Sequence, residues 1–569
     1  MAAGHSHDTL GAWLARAATR SDRGVRLLDR REQDRLVPWP ELVGRAAEVA
    51  GGLQALGVRP GDRVALAFPT GEGFLAAFLG ALRAGAVPAP LPPPSRLGQL
   101  GEQQRRLRAM LDAAAPRLVL AEPALLPLLR DPVAASAPAL GCHPLAALPR
   151  AAAVAADVAD VAPGLVQFSS GTTAAPKAVA LSRRALVVQA RLLNSIWPEG
   201  AGVVHRGFSW LPLHHDMGLV GCVLPALERP ADLALLPPEA FVARPALWLR
   251  GISRTGATVS AAPTFAYARC LRRVRDEELA GVDLGGWRIA LCGAEAVVPE
   301  TLHAFARRFA RWGFRDEALV PVYGLAEAGL AVTFGAVGRP FITRRFARDV
   351  LLGGAAVPDP EGRELASVGT TLPGFAIALR DDDGRELPAG RVGTVWVHGP
   401  SLMDGYLGDP AGTARVLRDG WLDTGDLGFL AGGELFLVGR RKDAVIVRGR
   451  NHAPEEIEEA AGAVAGVRPG GVAAVGWLPE AADEEELLLL VERARGDEVD
   501  GVDALVTACR EAVLAAVGLA PGRVASLAPG TLPRTSSGKL RRGEALRRWL
   551  AGELPGAAGT TSGAAPERR

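Results

Sequence analysis

The sequence predicts an α/β fold. It would comprise a large N-terminal region of two α/β subdomains and a β-rich subdomain, then a small C-terminal α+β domain. Three observations carry this prediction. Over residues 8–129, helical periodicity alternates with short apolar runs, the rhythm of strands covered by helices. Between residues 375 and 438 short strands dominate, and after Gly439 helix and strand alternate again. The chain has 569 residues, whereas one core rarely grows past about 250–300, so more than one domain is expected.

Taken in order, residues 42–56 read as a helix, 63–68 as a strand, 73–83 as a helix and 86–90 as an extended run. The proline-rich run 88–94 is a loop, and 103–114 a helix. Residues 132–163 are rich in Ala and Pro, weakly patterned, and read as a connector. The apolar runs 164–168 and 178–181 read as short strands, with Ser182 the N-cap of a helix over 183–193. Residues 210–227 and 257–302 continue the α/β alternation, and 337–367 breaks it with an irregular stretch. Strands follow at 376–379, 394–398 and 434–438, with Asp381-Asp382-Asp383-Gly384 as a hairpin-like turn. Residues 454–463 form a helix with Pro454 at its first position and acids in its first turn. Residues 552–569 are mostly Gly, Ala, Ser, Thr and Pro and read as disordered.

Composition excludes several function classes. Apolar residues make up 49% and charged residues 22%, ordinary for a globular enzyme. A net charge of +2 gives no argument for nucleic acid or an anionic membrane surface. The five cysteines are scattered and never spaced as CxxC, which argues against a disulfide framework or zinc site and fits the reduced cytoplasm. No apolar run is long enough to span a membrane, and residues 1–20 lack a signal-peptide pattern.

The stretch Ser169-Ser170-Gly171-Thr172-Thr173-Ala174-Ala175-Pro176-Lys177 lies between the two short strands. Its N–H groups, hydroxyls and one ammonium suit a phosphate. A Walker A loop is excluded by pattern: no glycine directly precedes Lys177, Ala178 follows it, and a strand rather than a helix comes next. A Ser/Thr-rich surface turn is the alternative that the loop alone leaves open.

Of 64 basic residues only Lys177, Lys442 and Lys539 are lysines. Such a bias, with abundant Ala, Gly and Pro, suggests a GC-rich genome that replaces lysine wherever arginine serves. A surviving lysine is then a candidate for a position that needs a compact ammonium, with survival by chance as the alternative.

Together the motifs resemble the adenylate-forming superfamily of acyl-CoA synthetases, luciferases and nonribosomal peptide adenylation domains, over about residues 8–550. By that resemblance Ser169–Lys177 is the phosphate loop, and ATP and Mg2+ are expected. Tyr323-Gly324-Leu325-Ala326-Glu327 is similar to the motif whose tyrosine lies near adenine and whose glutamate ligates Mg2+ with Thr173 of the loop; a hard cation suits a carboxylate and phosphate oxygens. Gly293-Ala294-Glu295 resembles the adenine-pocket segment. Trp421-Leu422-Asp423-Thr424-Gly425-Asp426 resembles the motif whose second aspartate accepts from the ribose hydroxyls. Gly439-Arg440-Arg441-Lys442-Asp443 resembles the hinge, with Arg440 on the nucleotide and Lys442 the pivot, and Thr535-Ser536-Ser537-Gly538-Lys539 resembles the loop of the adenylation lysine. The implied organisation is an N-terminal domain over 1–439, a mobile C-terminal lid over 440–551, and a tail over 552–569.

A finer resemblance is to fatty acyl-AMP ligases. Trp210-Leu211-Pro212-Leu213-His214-His215-Asp216-Met217-Gly218-Leu219 looks like that branch's W-L-P-x-x-H-D-M-G-L segment. Ala262-Pro263-Thr264-Phe265-Ala266-Tyr267 is similar to its A-P-N-F-A-Y segment, with Thr264 in place of Asn. Arg448-Gly449-Arg450-Asn451-His452-Ala453-Pro454 matches R-G-R-N-H-x-P. The irregular stretch, about 338–367, falls where the branch carries an insertion. The resemblance implies that His215, with Asp216, Met217 and Gly218, forms the acyl pocket, and that a fatty or related carboxylic acid becomes an acyl-adenylate. The acyl group would pass to the phosphopantetheine thiol of a stand-alone acyl carrier protein, since no carrier domain follows Leu550. An acyl-CoA ligase and a non-catalytic nucleotide-binding homologue are the alternatives.

Overall fold

The computed structural model describes residues 9–94, 100–154, 156, 158–169, 176–197, 204–352, 354–441, 443, 445–447, 450–477, 479, 485–494, 502–534 and 540–554. The fold is α/β, as expected. Its largest sheet has nine strands. The central strands Ile289–Cys292, Val259–Ala262, Gly207–Ser209 and Leu233–Leu235 run parallel, and Leu319–Leu325 and Gly24–Leu28 extend them on either side. Both edges finish antiparallel, at Asp34–Pro38 and at Leu330–Phe334 with Thr370–Thr371. Buried parallel strands need apolar side chains on both faces. Apart from Ser209 and Ser260, whose buried hydroxyls are hydrogen-bonded, the four central strands are apolar, and one continuous core surrounds them.

A second, four-stranded parallel sheet joins Val87–Pro90, Arg63–Ala67, Leu118–Ala121 and Cys142–His143. The helices Trp39–Ala55 and Glu72–Arg83 begin three residues and one residue earlier than periodicity suggested. Pro40 fits the first turn of the former, where no N–H is needed. The expected connector at 132–163 is corrected in its first part: the helix Leu126–Ser136 runs through Pro132, and Cys142–His143 adds an edge strand.

A three-stranded antiparallel sheet matters most for the site. Pro163–Phe168 pairs with Ala178–Ser182, and the two-residue strand Gly405–Tyr406 pairs on the far side. Ser182 caps the helix Arg183–Ile196, its hydroxyl accepting from the Ala185 N–H at 3.1 Å. A five-stranded sheet contains Ala376–Arg380, Gly393–His398, Leu417–Arg418, Trp421–Ala431 and Glu434–Arg440.

Beyond Val445 a three-stranded sheet of Val467–Trp477, Glu486–Arg493 and Arg523–Leu527 separates two small cores. Side chains alternate between its faces, as strand geometry requires. Val472, Ala474, Leu487 and Leu489 join one core; Ala473, Val475, Leu488 and Leu490 join the other. The helices Pro454–Gly462 and Val502–Val517 cover the first face, and Arg542–Leu550 the second.

The stretch read as irregular at 337–367 is ordered locally. Thr343–Phe346 pairs antiparallel with Arg363–Ala366, and the helix Arg348–Leu352 lies between them. Short, charge-rich strands of four residues carry too little apolar alternation to show in the sequence. Arg348 and Arg363 both pair with Glu456, and Arg348 donates to the Ala516 carbonyl at 3.2 Å, so this segment contacts the C-terminal helices.

Candidate active site

A cavity of about 290 Å³ opens where the nine-stranded, three-stranded and five-stranded sheets meet. Its wall includes Ser169, Lys177, His215, Asp216, Met217, Ala294, Tyr323, Gly324, Glu327 and Arg440, ten of the residues singled out from sequence. Ser170, Gly171, Thr172, Thr173, Lys442 and Lys539 lie outside the described residues. The ends of the loop are held together, because the Ser169 N–H donates to the Lys177 carbonyl at 3.1 Å.

The polar end is organised by Tyr406, which sequence reasoning missed. Its strand pairing places its ring 4.3 Å from the Lys177 ammonium, and its hydroxyl donates to Glu327 Oε1 at 3.0 Å. Burial and the Glu327 carboxylate push the Tyr406 phenol up, so it stays protonated and can only donate to that acid. A signal existed: the chain has three tyrosines, Tyr267, Tyr323 and Tyr406, and two of them line the cavity.

Three acids line the wall: Asp216, Glu327 and Asp423. Asp216 Oδ1 lies 2.6 Å from His215 Nδ1, and Asp423 Oδ2 lies 3.1 Å from Arg441 Nη2. Glu327 makes no ion pair among the described residues, which leaves its carboxylate available to a cation. No group of three or more His, Cys, Asp or Glu gathers around a metal position among the described residues. A magnesium ion carried by phosphate oxygens needs only one or two protein carboxylates, so the donor set fits such an ion.

Two wall positions are set by the backbone, Gly324 by close approach and Ala294 by its dihedral angle. A Cβ at Gly324 would meet the Leu330 carbonyl oxygen at 1.7 Å, where the Leu319–Leu325 strand shifts register. Ala294 holds φ +68°, a conformation that L residues adopt at a cost, on the cavity wall.

Several expected positions differ. Asp426 does not line the cavity. It is buried, with Tyr323 donating to Oδ2 at 2.8 Å and Arg440 Nε 2.8 Å from Oδ1. Asp423, Thr424 and Gly425 of the same motif form the wall instead. The turn is set by the Gly425 N–H donating to Asp423 Oδ1 and the Asp426 N–H donating to Thr424 Oγ1. Glu295 and Gly293 also stand off the wall: Glu295 Oε1 accepts from the Phe265 N–H at 2.6 Å, holding the start of the helix Thr264–Arg273, and Gly293 packs on Val322. Thr264 donates to the Ala296 carbonyl and does not reach the cavity. Gly218 does not line the cavity, and a Cβ added there would come within 2.3 Å of the Pro212 carbonyl oxygen.

The opposite end is apolar, with Leu193, Trp197, Gly221, Leu291, Leu330 and Phe334 on the wall. His214 does not line the cavity. Burial lowers its imidazole to about 3, so it is neutral at physiological pH. Its carbonyl accepts from Gln167 Nε2 at 2.7 Å, tying the strand before the phosphate loop to the His215 segment.

The AMP-binding enzyme family matches residues 14–407. A Caulobacter vibrioides protein provisionally named an acyl-CoA synthetase is 37% identical over 562 residues, covering 96% of each chain. The long-chain-fatty-acid–AMP ligase FadD23 of Mycobacterium tuberculosis is 32% identical over 538 residues, covering 90% of each. A solved structure from work on fatty acyl-adenylate ligases of E. coli and L. pneumophila superposes with a TM-score of 0.88 at 33% identity, covering 96% of this chain and 98% of that one. The chain is an adenylate-forming enzyme with a cavity, polar at one end and apolar at the other, at the junction of these sheets, and it belongs to the AMP-binding enzyme family.

Proposed function

We propose that the protein activates a fatty or related carboxylic acid with ATP, releases pyrophosphate, and transfers the acyl group from the acyl-adenylate to the phosphopantetheine thiol of a stand-alone acyl carrier protein. The observation that carries this reading is one cavity with a charged end at Lys177 and Glu327 and an apolar end at Leu193, Trp197 and Phe334.

The chemistry follows from charge. A carboxylate attacks the α-phosphorus of ATP, the bond to the β-phosphate oxygen breaks, and pyrophosphate leaves with the electron pair. Both reactants are anions, so catalysis rests on positioning and charge neutralisation. Mg2+, when bound, would supply positive charge on the phosphate oxygens. Lys177 and the loop Ser169, Ser170, Gly171, Thr172 and Thr173 would hold the phosphates, with Glu327 and Thr173 holding the metal. Tyr406 keeps Glu327 aimed. Tyr323, Gly324 and Ala294 flank the nucleobase, and Arg440 reaches the nucleotide. Asp426 would meet the ribose once Arg440 leaves it for the nucleotide. Lys539 would stabilise the charge developing at the α-phosphate, brought in by rotation about Lys442. His215, oriented by Asp216, and Met217 border the acyl entry.

Five free cysteines suit the reducing cytoplasm, where we place the protein. No helix among the described residues is long and apolar enough to cross a membrane. The acceptor is decided by offering the enzyme CoA and a holo-carrier protein side by side and measuring thioester. The carrier protein should be acylated and CoA left largely free; efficient CoA acylation would establish the acyl-CoA ligase alternative.

A further inference from the structure

The turn Ala326–Ala328, which carries Glu327, is gripped by one short stretch of chain, residues 401–406. Three contacts fall on neighbouring atoms. The Tyr406 hydroxyl donates to the Glu327 carboxylate, and the Met403 N–H donates to the Glu327 carbonyl at 2.8 Å. Ser401 Oγ lies 2.9 Å from the carbonyl oxygen of the next residue, Ala328. Gly329 follows at φ +85°, and a Cβ there would come within 2.9 Å of the Ser401 carbonyl oxygen, so glycine permits this close approach. The same stretch also reaches the phosphate loop. The Asp404 and Leu407 N–H groups donate at 2.9 and 2.8 Å to the Ala180 and Ala178 carbonyls, on the strand that begins directly after Lys177.

Behind Ser401 stands Gln189, on the helix Arg183–Ile196. Both side chains are fully buried, and neither lines the cavity. Ser401 Oγ lies 2.9 Å from Gln189 Oε1 as well as from Ala328, so its single hydrogen is shared between them. Gln189 Nε2 donates at 3.3 Å to the Ala331 carbonyl, on the strand Leu330–Phe334 that leaves the turn. Burying two polar side chains is costly unless they are hydrogen-bonded, and these two spend their bonds on either side of Glu327.

We propose that Ser401, braced by Gln189, is a positioning residue for Glu327: the pair fixes the backbone of the turn, so that the carboxylate meets a magnesium ion carried by ATP at one place. This rests on the reading of Glu327 as a metal-holding acid given above. A side chain on a three-residue turn is held only as firmly as the carbonyls beside it. Groups that orient a metal ligand from behind change metal affinity by about 10–100-fold.

Calorimetry without any carboxylic acid tests this. The dissociation constant of ATP is measured with Mg2+ and with a chelator, and the ratio of the two states how far Mg2+ tightens ATP binding. In Ser401→Ala and Gln189→Met that tightening should shrink by about tenfold, with ATP affinity in chelator unchanged. A merely structural loosening would weaken ATP binding alike in both conditions. Taken within each variant, the ratio does not depend on how much of the variant folds. Wild-type tightening in Ser401→Ala and Gln189→Met, beside its loss in Glu327→Gln, would overturn the positioning role and leave the metal role of Glu327 standing. Wild-type tightening in Glu327→Gln itself would overturn that metal role, and the positioning role with it.

Discussion

Tyr406 donates its hydroxyl hydrogen to Glu327 Oε1 at 3.0 Å while its ring lies 4.3 Å from the Lys177 ammonium. One aromatic side chain thus sets the positions of the acid and the base that flank the phosphates in our reading. Hydrogen bonds to charged groups are worth about 1.5–3 kcal/mol, so Tyr406→Phe should lower kcat/KM for ATP–pyrophosphate exchange by about tenfold or more. Its apparent affinity for Mg2+ should weaken in the same assay, whereas a merely structural tyrosine would leave the magnesium dependence unchanged.

Lys177 tests the meaning of lysine scarcity. Lys177→Arg keeps the charge but replaces a compact ammonium with a planar fork. We expect exchange activity to fall by about a hundredfold, a loss comparable to that of one preorganised donor in other enzymes. An arginine variant near wild-type activity would mean that this lysine survives by chance.

Gly324→Ala is a stability prediction. Its methyl group would overlap the Leu330 carbonyl oxygen, which belongs to a paired strand and cannot swing aside. Overpacking against backbone costs about 1–3 kcal/mol or more, and the melting temperature should drop accordingly.

Arg542 closes a buried cluster in the C-terminal region. Its guanidinium meets Glu458 at 2.7 Å, Glu455 at 2.9 Å and Asp443 at 3.4 Å. Asp443 ends the hinge sequence, so the cluster ties that segment to the helix Arg542–Leu550. Burial raises the Glu458 carboxyl, and Arg542 counteracts that rise. Arg542→Met should therefore destabilise by about 3–5 kcal/mol by stranding the carboxylates. A carboxyl raised in the folded state costs stability as pH climbs through its folded pKa. The deficit in urea unfolding should thus be larger near about pH 8 than near about pH 5.

Much of the site was legible because its parts are local. The phosphate-loop strands and the Ser182 cap are adjacent in sequence, so apolar runs and capping chemistry suffice to place them. Tyr406 was not legible, because Gly405–Tyr406 is a two-residue strand whose partner, Ala178–Ser182, lies far back in the chain. Asp426 illustrates a different limit: its motif was found, but Tyr323, which helps to turn it from the cavity, lies about a hundred residues earlier in the chain. The charged strands Thr343–Phe346 and Arg363–Ala366 pair with each other rather than joining a core sheet, so no hydrophobic period announces them.

The central claim is that the cavity at Lys177 and Glu327 joins a carboxylic acid to AMP. Mass-spectrometric detection of products from ATP and a panel of carboxylic acids tests it most directly. The account predicts an acyl-adenylate and pyrophosphate with at least one fatty acid, and loss of both in Lys539→Ala. A folded wild type that forms no acyl-adenylate with any acid, or one that releases ADP and phosphate instead, would contradict it.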